Sequence, residues 1–201
     1  MDGTYGERLA EFSRERLDGR PVPDDLRALL IAQWEGRDDF ARLLGLEFFE
    51  AGELHPFLDT DYLSAEELAD PEMRAVNAGA ARMAAHVKLV AKGGKGWVGY
   101  WLHPDEPTAP AWRLIELDTE FTLWHASGST LSEGAAAEQA GYQDEPDERL
   151  AYAQLAAELA ALGLPLSTAD FDALDDSEYA VDPEKLMETL IEEERAKLGL
   201  G

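Results

Sequence analysis

Apolar residues in the first third of the chain recur at helical spacing. Leu9, Phe12 and Leu17 share one side of a predicted helix over 7–17, and Leu26, Leu29, Leu30 and Trp34 follow the 3.6-residue period after PVPDD. Pro23 suits a first helical turn, and Asp24 and Asp25 stand where the positive end of the helix dipole favours carboxylates. Beyond Gly36, the run DDFARLLG leads into a predicted strand, Leu46–Glu50. Two stretches are marked by start signals: Ser64-Ala-Glu-Glu67 and Ser167-Thr-Ala-Asp170 have capping-box spacing, with Leu63/Leu68 and Leu166/Phe171 placed as staples. Asp70-Pro71 opens a further helix whose Met73, Val76, Ala80 and Met83 line one face.

The centre of the chain changes period. HVKLVAK, GWVGYWLH, WRLIELD and FTLWHA are short runs rich in aromatic and β-branched residues, predicting strands near 87–92, 97–103, 112–118 and 121–126. Gly93, Gly94 and Gly96 punctuate the first pair, Asp118-Thr119-Glu120 fits a tight turn in the last, and the proline-rich stretch Pro104–Pro110 reads as a loop. Short turns between successive strands predict an antiparallel meander, because parallel pairs need long crossovers. Trp97, Gly99 and Trp101 alternate with Val98, Tyr100 and Leu102, so this strand is apolar on both faces and belongs in the middle of the sheet. From Ser127 onward the pattern is helical, over about 130–139, 147–162, 168–175 and 183–198. The predicted fold is α+β: a central antiparallel sheet of about 4–6 strands flanked by helices, with a helical C-terminal part, in a single domain over 1–201.

Charge adds the strongest functional hint. Of 201 residues 42 are acidic and 17 basic, a net charge of −25; residues 1–100 carry 19 acidic and 12 basic, whereas 101–201 carry 23 and 5. Such a field repels nucleic acid and anionic membrane surfaces and attracts basic partners. The 45% hydrophobic content separates the chain from disordered acidic tails. No cysteine is present, which excludes disulfides, thiolate nucleophiles and zinc sites built on sulfur, and suits a reducing compartment. MDGTYGERLAEF lacks the basic and apolar regions of a secretory signal, and no apolar run approaches the roughly 18 residues of a membrane span. A cytoplasmic location is expected.

The residues that usually carry chemistry form no pattern. His55, His86, His103 and His125 are scattered, and no GxSxG, P-loop or GxGxxG occurs. An EF-hand loop beginning at Asp170 would need an oxygen ligand where Leu174 stands and glycine where Asp175 stands. No catalytic, cofactor-binding or metal-ligating residue is therefore assigned, and no cofactor is expected. Trp97, Tyr100, Trp101, Trp112 and Trp124 suit sheet packing better than a stacking platform, which would also need a basic groove to hold nucleic acid.

Four phrases, in order, carry a family resemblance: Pro23–Leu30 opening a helix, Gly96–Leu102 as a "G-x-x-W" strand, Leu117–Glu120 as an "LD-x-E" turn and Ser127–Glu133 as a helix start. Together they resemble the SUKH superfamily, which includes fungal cell-wall synthesis regulators and bacterial immunity proteins. The resemblance covers about 22–140 and leaves a helical extension over about 145–201 outside it. Two features depart from the pattern: an Ala-rich helical insert at 64–85, and Phe121 where a glycine often follows the turn. The resemblance implies a non-enzymatic immunity-type protein that binds and neutralises a toxin delivered by neighbouring cells, basic and of nuclease type. Acidic residues of the second half would be the contacts: Asp144, Glu145, Asp147 and Glu148 in one loop, and Asp172, Asp175, Asp176 and Glu178 in another, since few cations neighbour them in sequence. The alternatives are a structural or regulatory protein-interaction domain with a different partner, and an enzyme with a tryptophan-lined pocket.

Overall fold

Gly93 turns β2 (Val87–Lys92) back along β3 (Gly96–Trp101), its N–H donating to the Gly96 carbonyl at 2.8 Å. With β1 (Glu47–Phe48), β4 (Arg113–Asp118) and β5 (Leu123–Ala126) they form a five-stranded sheet in the order β1-β2-β3-β4-β5, every pair antiparallel. This computed structural model describes residues 5–50, 52–107, 111–142 and 147–200. The meander expected from the turn spacing is present, with β3 at its centre. Strand β1 is shorter than the predicted Leu46–Glu50. Phe49 N–H still reaches the Val90 carbonyl at 3.2 Å, but the Glu50 N–H donates to the Glu53 carboxylate, which ends the ladder.

The helices are α1 (Gly6–Arg16), α2 (Asp24–Trp34), α3 (Asp39–Leu44), α4 (Ala65–Ala69), α5 (Pro71–Met83), α6 (Leu131–Tyr142), α7 (Glu148–Ala161) and α8 (Pro183–Leu198). On one face of the sheet, Val98, Tyr100 and Leu114 pack with Leu26, Leu29 and Leu30 of α2, Leu131 and Ala135 of α6, and Tyr152 and Leu155 of α7. On the other, Leu89, Trp101, Ile115 and Leu117 pack with Met83 of α5, Leu190 of α8 and Phe57 from a 3-10 turn at Pro56–Leu58. The two-sided apolar character of β3 has its physical cause here: each face is covered by helices.

Close backbone approach fixes two glycines. The β2–β3 register slips between Leu89 and Ala91, and a Cβ at Gly99 would overlap the Lys88 carbonyl oxygen beside that bulge. Gly99→Ala is expected to cost on the order of 1–3 kcal/mol or more in urea denaturation; unchanged stability would show that the strands can part at the bulge. In α5 a Cβ at Gly79 would fall 2.6 Å from Ile191 Cγ1 of α8. That contact rotates the buried stripe to Ala75, Gly79 and Met83, so Val76, expected inside, is 37% exposed.

The Ser64 box forms as read, with Ser64 Oγ accepting from Glu67 N–H and Glu67 returning to Ser64 N–H. The second box does not. No helix spans 168–175, only a 3-10 turn at Phe171–Ala173 capped by Asp170. The N–H of Ser167 donates to Glu133 Oε1 at 2.9 Å, and its hydroxyl donates to the same oxygen. Glu133, 1% exposed, also accepts from Ser129 N–H, so a buried carboxylate takes the groups that a helix start would have used.

Candidate partner-binding surface

Between α7 and α8 the chain runs back across the end of the sheet as a strap, residues 164–182. Specific bonds hold it. Gly128 N–H donates to the Asp175 carbonyl at 2.7 Å, Tyr179 OH to the Leu114 carbonyl at 2.6 Å, and Val181 N–H to Glu106 Oε1 at 2.8 Å. This path decides where the acidic residues of the second half stand.

Asp144 and Glu145 lie outside the described residues. Asp147 caps α7, accepting from Arg149 N–H at 3.0 Å, and Glu148 is exposed in the first turn. Arg149 Nε meets Asp172 Oδ2 at 2.8 Å, and this bond holds the Asp172 carboxyl below its ordinary range. Asp147 and Asp170 also act on Arg149, so two acidic stretches separate in sequence converge on one guanidinium. Asp175 turns inward, its Oδ2 2.6 Å from Arg113 Nη1, while Oδ1 accepts from Ser177. Few cations neighbour these acids in sequence, yet Asp172 and Asp175 are paired in the fold. Arg149 and Arg113 are distant in sequence and close in the fold.

Asp176 and Glu178 remain on the surface. With Leu123 and His125 of β5, Tyr179, and Asp182, Pro183 and Glu184 at the start of α8, they line an open groove of about 510 Å³. Asp176 Oδ1 accepts from Ser127 Oγ at 2.9 Å and lies 3.3 Å from His125 Nδ1. Asp182 is partly engaged, capping α8 and meeting Lys185 Nζ at 3.0 Å. Glu178 and Glu184 form no ion pair among the described residues. The groove thus offers several carboxylates beside one tyrosine and one histidine.

A second hollow, of about 760 Å³, opens on the other side of the sheet between Pro21–Asp25, Tyr100, Trp112, Ser132, Gly163–Pro165 and Ser167. Asp25 Oδ2 accepts from both Ser132 N–H (3.1 Å) and Ser132 Oγ (3.0 Å), which ties α2 to the start of α6. The Tyr100 hydroxyl is buried without a partner, and burial pushes its pKa up, with Asp25 adding to the effect. No histidine lines this hollow. Tyr100 and Trp101 do not share a platform: Tyr100 meets Trp112 edge-on at 5.2 Å on this side, while Trp101 stacks with His103 at 5.7 Å on the opposite one.

His55, one of the four scattered histidines, has a defined structural task. Its Nδ1 accepts from Phe57 N–H at 3.1 Å, leaving Nε2–H to donate to the Val87 carbonyl at 2.9 Å. Burial lowers its pKa to about 4, which keeps the ring neutral. Among the described residues no three His, Asp or Glu side chains gather as a metal site, and no helix is long and apolar enough to cross a membrane.

No protein-family model, curated protein or solved structure matches the chain. The phrases Pro23–Leu30, Gly96–Leu102, Leu117–Glu120 and Ser127–Glu133 fall at the opening of α2, on β3, on the β4–β5 turn and in the loop entering α6. Sequence reasoning missed the buried Glu133 and Glu106. The Ser127–Glu133 phrase contains the first, but its long-range partner, Ser167, is set only by the strap.

Proposed function

We propose that this chain is a non-enzymatic binding protein for a basic protein, and that its partner is a toxin it neutralises in the manner of immunity proteins. The observation that carries the reading is the carboxylate-rich groove between β5, the strap and the start of α8. It lies in a half of the chain carrying 23 acidic and 5 basic residues, in a protein of net charge −25. A field of that sign steers a basic partner toward the groove and repels nucleic acid competing for it. The toxin assignment rests on the SUKH resemblance. Acidic groups presented by an inhibitor can occupy the phosphate-binding cleft of a nuclease, which gives the acidity a use beyond solubility.

The test is stopped-flow association with the purified product of the adjacent gene. The association rate is expected to fall about tenfold or more from low to high salt. Changing Asp176, Glu178 and Glu184 together to their amides should flatten that dependence. A partner that is not basic, or a rate indifferent to both salt and these charges, would overturn the electrostatic mechanism.

A further inference from the structure

The groove is one side of a larger surface. At the β4–β5 hairpin, Asp118 Oδ1 accepts from Glu120 N–H and Thr122 N–H, and the chain bends so tightly that Phe121 takes φ +64°. That conformation suits glycine and is costly for an aromatic residue. The ring it places here belongs to a group: Phe121 lies 6.0 Å from Phe57, 6.1 Å from Tyr62 and 6.2 Å from Trp97, centre to centre. Phe57 is buried, Trp97 and Phe121 are half-buried, and Tyr62 and Leu58 are 61% and 47% exposed. An aromatic floor thus opens to solvent at the end of the sheet, and the buried Leu123 of β5, in the same apolar cluster, also lines the acidic groove.

The loop and hairpin that carry these rings are acidic, and the cation beside them, Lys92 opposite Trp97, is itself tied to Glu53 at 2.9 Å. Asp59 and Asp61 precede Tyr62, and Asp118 and Glu120 precede Phe121. Residues 54–73 carry six acidic side chains and no lysine or arginine, and residues 114–126 carry three and none. Among the described residues none of Asp59, Asp61, Asp118 and Glu120 is paired with a cation, in contrast to Asp172 and Asp175. Exposed aromatic side chains close in the chain to carboxylates without a paired cation are complementary to arginine, whose planar guanidinium stacks on aromatic faces while pairing with carboxylates. Aromatic side chains are also the residues most often dominant in protein interfaces.

We infer that Tyr62, Phe121 and the acidic residues that precede them form the energetic centre of the interface with the basic partner, receiving arginine and apolar side chains, and that the strap groove supplies steering beside it. This rests on the reading that the chain binds a basic protein.

The test uses three labelled short peptides, alternating arginine with leucine, arginine with serine, and glutamate with leucine, in fluorescence anisotropy against the full chain. The arginine–leucine peptide should bind best and the glutamate peptide not at all. Tyr62→Ser and Phe121→Gly should each weaken the arginine–leucine peptide roughly tenfold. Tyr62 is exposed and glycine suits φ +64°, so both variants should melt near wild type. Asp176→Asn with Glu178→Gln should change its affinity less. Affinity untouched by the aromatic variants but lost with Asp176 and Glu178 would overturn this inference and leave the groove as the binding site. Equal binding of the glutamate peptide, or no binding of the arginine–leucine peptide, would overturn it too. The function reading is decided separately, by the kinetics with the natural partner.

Discussion

Trp101→Ala is expected to destabilise the fold by about 3–5 kcal/mol. The side chain is 1% exposed at the centre of the sheet, packed with Ile115, Leu89 and Met83. Removing it leaves a large void between the sheet and the α5–α8 layer. It also removes a hydrogen bond. Trp101 Nε1–H donates to Glu106 Oε1 at 3.1 Å, and Glu106 Oε2 is already buried without a partner. Losing one of two donors to a buried carboxylate adds to the cavity cost. Glu106 Oε1 also receives the Val181 N–H, so the loss loosens the strap where it enters α8. Urea denaturation of Trp101→Ala and Trp101→Phe separates the contributions, because Phe retains most of the packing and lacks the donor. A Trp101→Ala protein of wild-type stability that fails only in binding would show that the indole serves a ligand and not the core.

Glu116→Gln is expected to stabilise the protein at pH 8 and to do almost nothing near pH 4. Burial pushes the Glu116 carboxyl up to about 7; Glu138 raises it further and Lys95 opposes them. Below about pH 4.5 the group is neutral in both folded and unfolded chains and costs nothing. Between that value and about 7 the unfolded chain releases its proton while the folded chain keeps it, so stability falls as pH rises; above 7 the loss is complete. The gap corresponds to a penalty on the order of 3 kcal/mol at most, and relaxation around Lys95 and Tyr142 at the half-open hairpin end reduces it. An amide carries no charge to bury, so Glu116→Gln should recover about 1–3 kcal/mol at pH 8. Denaturation midpoints for both proteins at the two pH values check this. Equal stabilisation at both would point to packing as the cause, and destabilisation at pH 8 would mean that the ionised carboxylate is well paired.

Where local chemistry is sufficient, the sequence and the structure agree closely. Helix α8 begins at the Asp182-Pro183 signal and ends at Gly199 in the left-handed region, and the Ser64 box makes both of its bonds. These features depend on backbone groups within a few residues, so a short window contains the whole competition. The same holds for β3, whose two-sided apolar pattern can be satisfied only in the middle of a covered sheet.

By itself, then, the amino-acid sequence determined the α+β class, the antiparallel order of the central strands, the bounds of α8 and the acidic field. Each follows from periodicity, turn chemistry or a charge count. Only the tertiary structure decided the fate of individual carboxylates and aromatics. Ser167 leaves its own helix start because Glu133, 34 residues earlier, offers a buried acceptor. Asp172 and Asp175 are drawn into ion pairs by Arg149 and Arg113, one 23 and the other 62 residues away. Phe121 is gathered with Phe57, Tyr62 and Trp97 by a hairpin and a loop whose nearness no local spacing encodes. The physical reason is common to all three: hydrogen bonds, ion pairs and ring contacts are decided over a few ångströms, and which residues come that close is settled by how the strap and the helices close over the sheet.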